Sequence, residues 1–118
     1  MHCRTEHMRI SIIGLVLLAH LTAPAQADEA ALAKGASTYK QFCSHCHGID
    51  MKNPGTSSYD LRKWPQDRKD EFYNSVQNGK GDMPAWGDIL LPDELDVLWI
   101  YVVTRGGKEP LPEGADNG

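Results

Sequence analysis

The chain has 118 residues, with 12 Lys and Arg against 16 Asp and Glu and a net charge of −4. This length predicts a single domain. The acidic balance excludes the common nucleic-acid binders, because their affinity depends on clustered basic side chains that neutralise phosphates. No nucleic-acid partner is therefore expected.

The first segment, residues 1–27, has the pattern of a secretory signal peptide. Its first residues are polar and contain Arg4 and Arg9, an apolar run follows at residues 10–21, and small residues lie at the expected cleavage site at 25–27. The run is shorter than the roughly 20 residues that span a bilayer, so an uncleaved anchor is the weaker alternative. Cleavage near Ala27 would deliver a periplasmic protein with no membrane insertion.

Apolar residues at helical spacing predict three helices, which cover residues 29–42, 66–77 and 92–105. Gly and Pro mark long loops between them, and residues 108–118 are predicted to form a flexible tail. No strand pattern occurs. The predicted fold class is all-α, with one domain over residues 28–107.

The segment Cys43-Ser-His-Cys46-His47 carries the strongest chemical pattern in the chain. Two cysteines separated by two residues and followed by His are the spacing of covalent haem c attachment, with the cysteines on the porphyrin and the imidazole on iron. A structural zinc site would need a second ligand pair, and a thioredoxin-like site would need strands. A short inert disulfide is the third alternative. His45 is expected to face solvent.

The second axial ligand of the iron decides between electron transfer and ligand binding. Met83 is the preferred candidate, because the chain between His47 and Met83 is long enough to reach the opposite face of a haem and Pro84 stiffens the loop. Met51, Lys80, His45 and an open site remain alternatives. Met51 follows His47 closely and is expected near the same face.

With these motifs, residues 29–105 resemble the small soluble monohaem cytochromes c of the His/Met type. The resemblance is carried by an expected helix crossing and by the methionine loop, at Gly35, Tyr39, Leu98, Tyr101, Asn78-Gly79 and Met83-Pro84. It implies a cytochrome c-like fold in which three main helices and long loops surround one covalently attached haem.

The resemblance also implies further site residues. The family often has a proline whose carbonyl accepts a hydrogen bond from the imidazole, and Tyr59 stands at that position here. A backbone carbonyl of any residue can make this bond. Arg62 and Trp64 follow shortly after, and they are the candidate donors to the haem propionates.

The implied function is single-electron transfer by a monomer that docks transiently at the haem edge. The sequence is also similar to cytochromes that serve quinoprotein alcohol dehydrogenases. This favours a periplasmic dehydrogenase as donor and a terminal oxidase or another cytochrome as acceptor, with no enzymatic activity. The alternatives are a haem enzyme or gas sensor with an open sixth site, and a fixed subunit of a larger complex.

Overall fold

The structure is a computed structural model that describes residues 26–115. Its helices are α1 (Glu29–Phe42), α2 (Ser44–His47), α3 (Lys69–Asn78) and α4 (Pro92–Val103), with single 3-10 turns at Ile49–Met51 and Leu61–Lys63. Over these residues there is no strand, apart from one isolated bridge in the methionine loop, so the predicted all-α class is confirmed. None of the four helices is long and apolar enough to cross a membrane.

The observed helix ends follow from local chemistry. α1 has the predicted bounds, and its N-cap Asp28 accepts a hydrogen bond from the first turn at 3.1 Å. α3 starts later than predicted, because the segment after Pro65 first makes a turn closed by a 3.2 Å backbone hydrogen bond. α4 ends earlier than predicted, because Arg105 is left-handed, with φ of 55°.

The fold is organised by the crossing of α1 and α4. Gly35 is buried there, and a Cβ atom on it would lie 2.2 Å from the carbonyl oxygen of Val97 and 2.9 Å from Cβ of Tyr101. The rings of Tyr39 and Tyr101 pack beside this contact, with centroids 5.2 Å apart. Only glycine permits this approach of two helix backbones. The close crossing expected around Gly35 and Tyr101 is therefore confirmed.

The core lies between α4 and the other elements. Its largest fully buried side chains are Trp99, Tyr39, Met51, Leu98, Val102, Val103 and Thr104. The ring of Trp99 packs on Phe72 of α3, with centroids 5.3 Å apart. This contact attaches α3 to α4.

The two chain ends extend beyond the described residues. The predicted signal peptide falls almost wholly on residues 1–25, which lie outside them. The predicted flexible tail begins at residue 108, and its first part packs against the domain: Leu111 is only 6% exposed, and the Glu109 amide donates to the Thr104 carbonyl at 2.9 Å. Leu111 therefore belongs to the core cluster, whereas the flexibility of the rest of the predicted tail stays a prediction.

Candidate functional site

The two cysteines sit on one helical turn at the corner where α1 passes into α2. Cys43 caps α1, and its carbonyl accepts from the amides of Cys46 at 3.2 Å and His47 at 2.9 Å. Residues three and four apart share one side of a helix, so the turn brings both sulfurs and the imidazole to the same side. His45 is exposed, as expected.

The two thiols have different environments. Neither sulfur is in a disulfide; Cys43 is half-buried and Cys46 is exposed. Burial, with a smaller contribution from Cys46, raises the pKa of the Cys43 thiol to about 12. Among residues 26–115, no three His, Cys, Asp or Glu side chains come together as a metal-binding group.

The imidazole of His47 is oriented by a backbone carbonyl 12 residues further along the chain. His47 is buried, and its Nδ1 lies 2.8 Å from the carbonyl oxygen of Tyr59. A carbonyl can only accept, so this contact assigns the proton to Nδ1 and leaves the lone pair on Nε2. A second bond, from the buried Tyr39 hydroxyl to the Gly48 carbonyl at 2.7 Å, fixes the backbone just after His47.

Met83 lies in a loop that is closed by its own backbone. Lys80 and Met83 exchange two amide-to-carbonyl hydrogen bonds of 3.1 and 3.0 Å. Gly79, at φ of 76°, begins the loop, and a Cβ there would meet the Met83 carbonyl oxygen at 2.6 Å. Met83 itself is half-buried. The loop therefore presents a thioether from a fixed backbone.

An aromatic contact holds the methionine loop next to the residue that precedes Cys43. The ring of Trp86 lies 5.5 Å from that of Phe42, which directly precedes Cys43. The amide of Trp86 also donates to the Val76 carbonyl of α3 at 2.8 Å. These two contacts place the methionine loop beside the end of α1 that leads into the Cys43–His47 turn. Met51, by contrast, is packed in the core at 2% exposure.

Arg62 and Trp64, the candidate propionate donors, both have partners within the protein. Arg62 donates two hydrogen bonds to the Asp60 carboxylate, at 2.9 and 2.8 Å, and these bonds lower the pKa of Asp60. The Trp64 indole donates to the Arg68 carbonyl at 3.2 Å. Their contact with a haem propionate stays a prediction.

One residue near the site was missed by the sequence reasoning. Arg105 follows α4, and its guanidinium donates to the Trp64 carbonyl at 2.7 Å and to the Leu61 carbonyl at 3.4 Å. The sequence separations are 41 and 44 residues. The only local sign was an arginine at a helix end before two glycines, which does not predict a partner so far away.

Comparison with known proteins places the chain in a family. Residues 30–102 match the family described as "Cytochrome C oxidase, cbb3-type, subunit III". The chain is also 34% identical to cytochrome c6 of Rippkaea orientalis, over 81% of this chain and 91% of that protein. The chain belongs to the c-type cytochromes. Its relatives include electron-transfer cytochromes and quinohemoprotein alcohol dehydrogenases that contain a cytochrome domain. One covalent haem c, attached through Cys43 and Cys46, is the cofactor of this cytochrome.

Two solved structures share the fold of the cytochrome. The quinohemoprotein alcohol dehydrogenase ADHIIG of Pseudomonas putida superposes with a TM-score of 0.59 and 30% identity over 70% of this chain. The c-type cytochrome XoxG of Methylobacterium extorquens AM1 does so with a TM-score of 0.55 and 25% identity over 67% of this chain. The cytochrome spans only 12% of the dehydrogenase and 52% of XoxG.

The donor set fits this cofactor. Two unpaired sulfurs lie one helical turn apart, and the adjacent imidazole has Nδ1 occupied by a carbonyl and Nε2 available. The Nδ1 bond is the usual second interaction that orients a metal-bound histidine. A soft thioether in the neighbouring loop completes a set that suits haem iron better than a hard cation.

Proposed function

We propose that the cytochrome is a periplasmic one-electron carrier whose axial ligands are His47 and Met83. The observation that carries this proposal is the contact of Trp86 with Phe42, which brings the Met83 loop back to the attachment turn. When bound, haem supplies a reversible one-electron change between its ferric and ferrous states. The chain contributes an oriented imidazole and a thioether from a backbone-closed loop, a pair that suits electron transfer.

The axial pair is tested by the weak charge-transfer absorption of ferric iron bound to a thioether. We expect the purified ferric protein to show this band and Met83→Ala to lose it while the haem stays attached. Met51→Leu is the matched control, because it removes the other methionine of the described domain at nearly constant volume. A band that survives Met83→Ala, or that Met51→Leu abolishes, contradicts the assignment.

The same spectra discriminate the alternative functions. An open sixth site, as in a haem enzyme or gas sensor, would lack the thioether band and would bind carbon monoxide rapidly in the ferrous state. Met83 held by a rigid loop favours slow binding, because the ligand must first leave iron. Carbon monoxide binding as fast in the native protein as in Met83→Ala would favour the open-site function.

We propose that electrons enter and leave at an exposed edge formed by the attachment turn and the methionine loop. His45 and Cys46 on the turn are exposed, and so are Pro84 and Ala85 on the loop. Redox encounters of this kind use small, weak interfaces, which suits a monomer that exchanges partners. The oligomeric state is checked by light scattering of the purified holoprotein.

We further propose a quinoprotein alcohol dehydrogenase as donor and a terminal oxidase or another cytochrome as acceptor. Support for the donor is the likeness to the quinohemoprotein alcohol dehydrogenase ADH-IIG of Pseudomonas putida, which is 31% identical over 66% of this chain. Support for an oxidase is the likeness to the cbb3-type oxidase subunit FixP of Azorhizobium caulinodans, at 36% identity. Stopped-flow reduction should be fast with such a dehydrogenase; slow reduction by it beside fast reduction by another donor contradicts this choice.

Export and cleavage near Ala27 belong to the same proposal. The sequence pattern of residues 1–27 supports them, together with covalent haem attachment. N-terminal sequencing of the protein recovered from the periplasm should start at Asp28. A mature protein that keeps residues 10–21 would instead support the anchored alternative.

A further inference from the structure

Arg105 occupies a backbone position that normally takes glycine. α4 ends in a paired arrangement in which the Gly106 amide donates to the Tyr101 carbonyl at 2.7 Å and the Arg105 amide donates to the Val102 carbonyl at 3.1 Å. This is the Schellman helix end, whose left-handed residue is usually glycine. Here that residue is Arg105, at φ of 55°, although Gly106 follows directly. Such strain in an L-residue persists when the surroundings impose it.

The side chain of Arg105 supplies a reason for this placement. Its guanidinium donates to the carbonyl oxygen of Trp64 at 2.7 Å and more weakly to that of Leu61 at 3.4 Å. The side chain is only 17% exposed. Its planar fork can contact two carbonyls at once, which a single ammonium cannot do with the same geometry. We call the contact of Arg105 with these two carbonyls the Arg105 clamp.

The clamped segment also carries the hydrogen-bond partner of His47. The ring of Tyr59 packs edge-on against that of Trp64, with centroids 5.5 Å apart, and its hydroxyl donates to the Lys63 carbonyl at 3.2 Å. The amide of Trp64 closes the turn onto Leu61 at 3.2 Å. Residues 59–64 are thus connected internally, and the Tyr59 carbonyl at one end accepts from His47 at 2.8 Å.

We propose that Arg105 is a positioning residue for His47 and acts through the segment 59–64. The inference rests on the proposed role of His47 as an iron ligand. By holding Trp64 and Leu61, the clamp fixes where the Tyr59 carbonyl stands and so how strongly it accepts from Nδ1. A stronger bond at Nδ1 makes the imidazole a better donor to ferric iron, which lowers the reduction potential.

Arg105→Gly tests the clamp, because glycine suits the left-handed position and the variant should fold. In the purified holoprotein we expect hydrogen exchange of the Trp64 amide and of the His47 Nδ1 proton to become about tenfold faster, the factor for one modest hydrogen bond. Weakening of the Nδ1 bond should raise the reduction potential, whereas loss of the Arg105 charge by itself would lower it, so Arg105→Lys gives the rise without the change in charge. The melting temperature should change little, because relief of backbone strain offsets the lost contacts.

Two further variants separate geometry from charge. Lys63→Gln removes one positive charge from the same segment and should leave both exchange rates and the potential near their native values. Arg105→Lys keeps the charge but not the planar fork, so it should also accelerate exchange. A native-like Arg105→Lys, or a fall in potential in Arg105→Gly that Lys63→Gln reproduces, would assign the effect to charge and overturn the clamp.

The readouts also separate this inference from the axial assignment. Hydrogen exchange of the Trp64 amide tests the Arg105 clamp without reference to iron. The thioether band tests whether His47 and Met83 are the axial ligands. Faster Trp64 exchange with an unchanged His47 Nδ1 proton and potential would make Arg105 merely structural, which overturns the positioning role. Unchanged Trp64 exchange in Arg105→Gly overturns it as well. Absence of the thioether band from the native protein would contradict the axial assignment but would leave the Arg105 clamp untouched.

Discussion

The two sides of the proposed haem site are built differently. His47 is oriented by contacts from afar: the Tyr59 carbonyl lies 12 residues on, and the segment that carries it is bound by Arg105 from beyond α4. Met83 is placed by its own neighbourhood, through the backbone pair with Lys80 and the glycine at 79. The histidine side is thus oriented by hydrogen bonds from distant segments, whereas the methionine side combines a loop closed by its own backbone with the attachments of Trp86 to Phe42 and Val76.

The largest effect is expected from Gly35→Ala, which attacks the frame that both sides share. The new Cβ would lie 2.2 Å from the Val97 carbonyl oxygen, so α1 and α4 must move apart. We expect a loss of about 3 kcal/mol or more in the free energy of unfolding, against a gain of about 1 kcal/mol in helix propensity. Denaturant titration of the holoprotein measures it. A stabilised Gly35→Ala variant would show that the crossing is looser than described.

Gly79→Ala should break the methionine side alone. Its Cβ would meet the Met83 carbonyl oxygen at 2.6 Å and the Ala85 amide nitrogen at 3.0 Å, at φ of 76°. We expect a loss of about 2–3 kcal/mol, combining left-handed strain and overlap, with loss of the thioether band. Gly81→Ala is the matched control: its φ is 59°, but its Cβ would meet nothing within 4 Å. It should lose about 1 kcal/mol and keep the band.

Gly79→Ala and Gly81→Ala test the difference between the two sides when exchange of the His47 Nδ1 proton is measured together with the thioether band of Met83. In Gly79→Ala the His47 Nδ1 proton should stay protected from exchange, because the Tyr59 carbonyl is not part of the loop. Equal loss of protection on both sides would mean that the two halves of the site open as one unit.

Tyr59→Ala should have a smaller effect on the histidine side. The carbonyl that accepts from His47 belongs to the backbone and survives the change. Only the edge contact with Trp64 and the hydroxyl bond to the Lys63 carbonyl are lost. We expect a loss of about 1 kcal/mol in the free energy of unfolding. The His47 Nδ1 bond should persist in NMR spectra but exchange faster, because the ring links the Tyr59 carbonyl to the clamped Trp64. Complete loss of that bond would show that the ring, not the backbone, places the carbonyl.

The smallest effect on stability is expected when the pH is lowered and Asp60 is protonated. Hydrogen bonds from Arg62 hold the pKa of the Asp60 carboxyl below its ordinary value of 3.8. A depressed carboxyl pKa adds stability that is complete above the unfolded value and is lost as pH falls through the lower folded value. Arg62→Gln should move the Asp60 pKa upward toward 3.8 in an NMR titration. An unchanged Asp60 pKa would mean that the pair is not formed in solution.

The outcome of the sequence reasoning differed between elements for physical reasons. α1 was predicted with its observed bounds, because its apolar spacing is a local feature of the sequence. Leu111 lies in the segment predicted to be a flexible tail, and its burial depends on a surface assembled from other elements, which its local sequence does not show. Tyr59 was located through the family resemblance, and the Phe42–Trp86 contact was not foreseen, since two aromatic residues 44 positions apart carry no mutual pattern.

The sequence by itself determined the attachment chemistry. Cys43, Cys46 and His47 are neighbours along the chain, so their placement on one helical turn follows from spacing alone. The glycines at 35 and 79 also marked, in advance, where backbones approach or turn. Tertiary structure alone decided the orientation of that chemistry. The acceptor for His47, the return of the Met83 loop and the reach of Arg105 all join distant segments, and such contacts form only when the helices have packed.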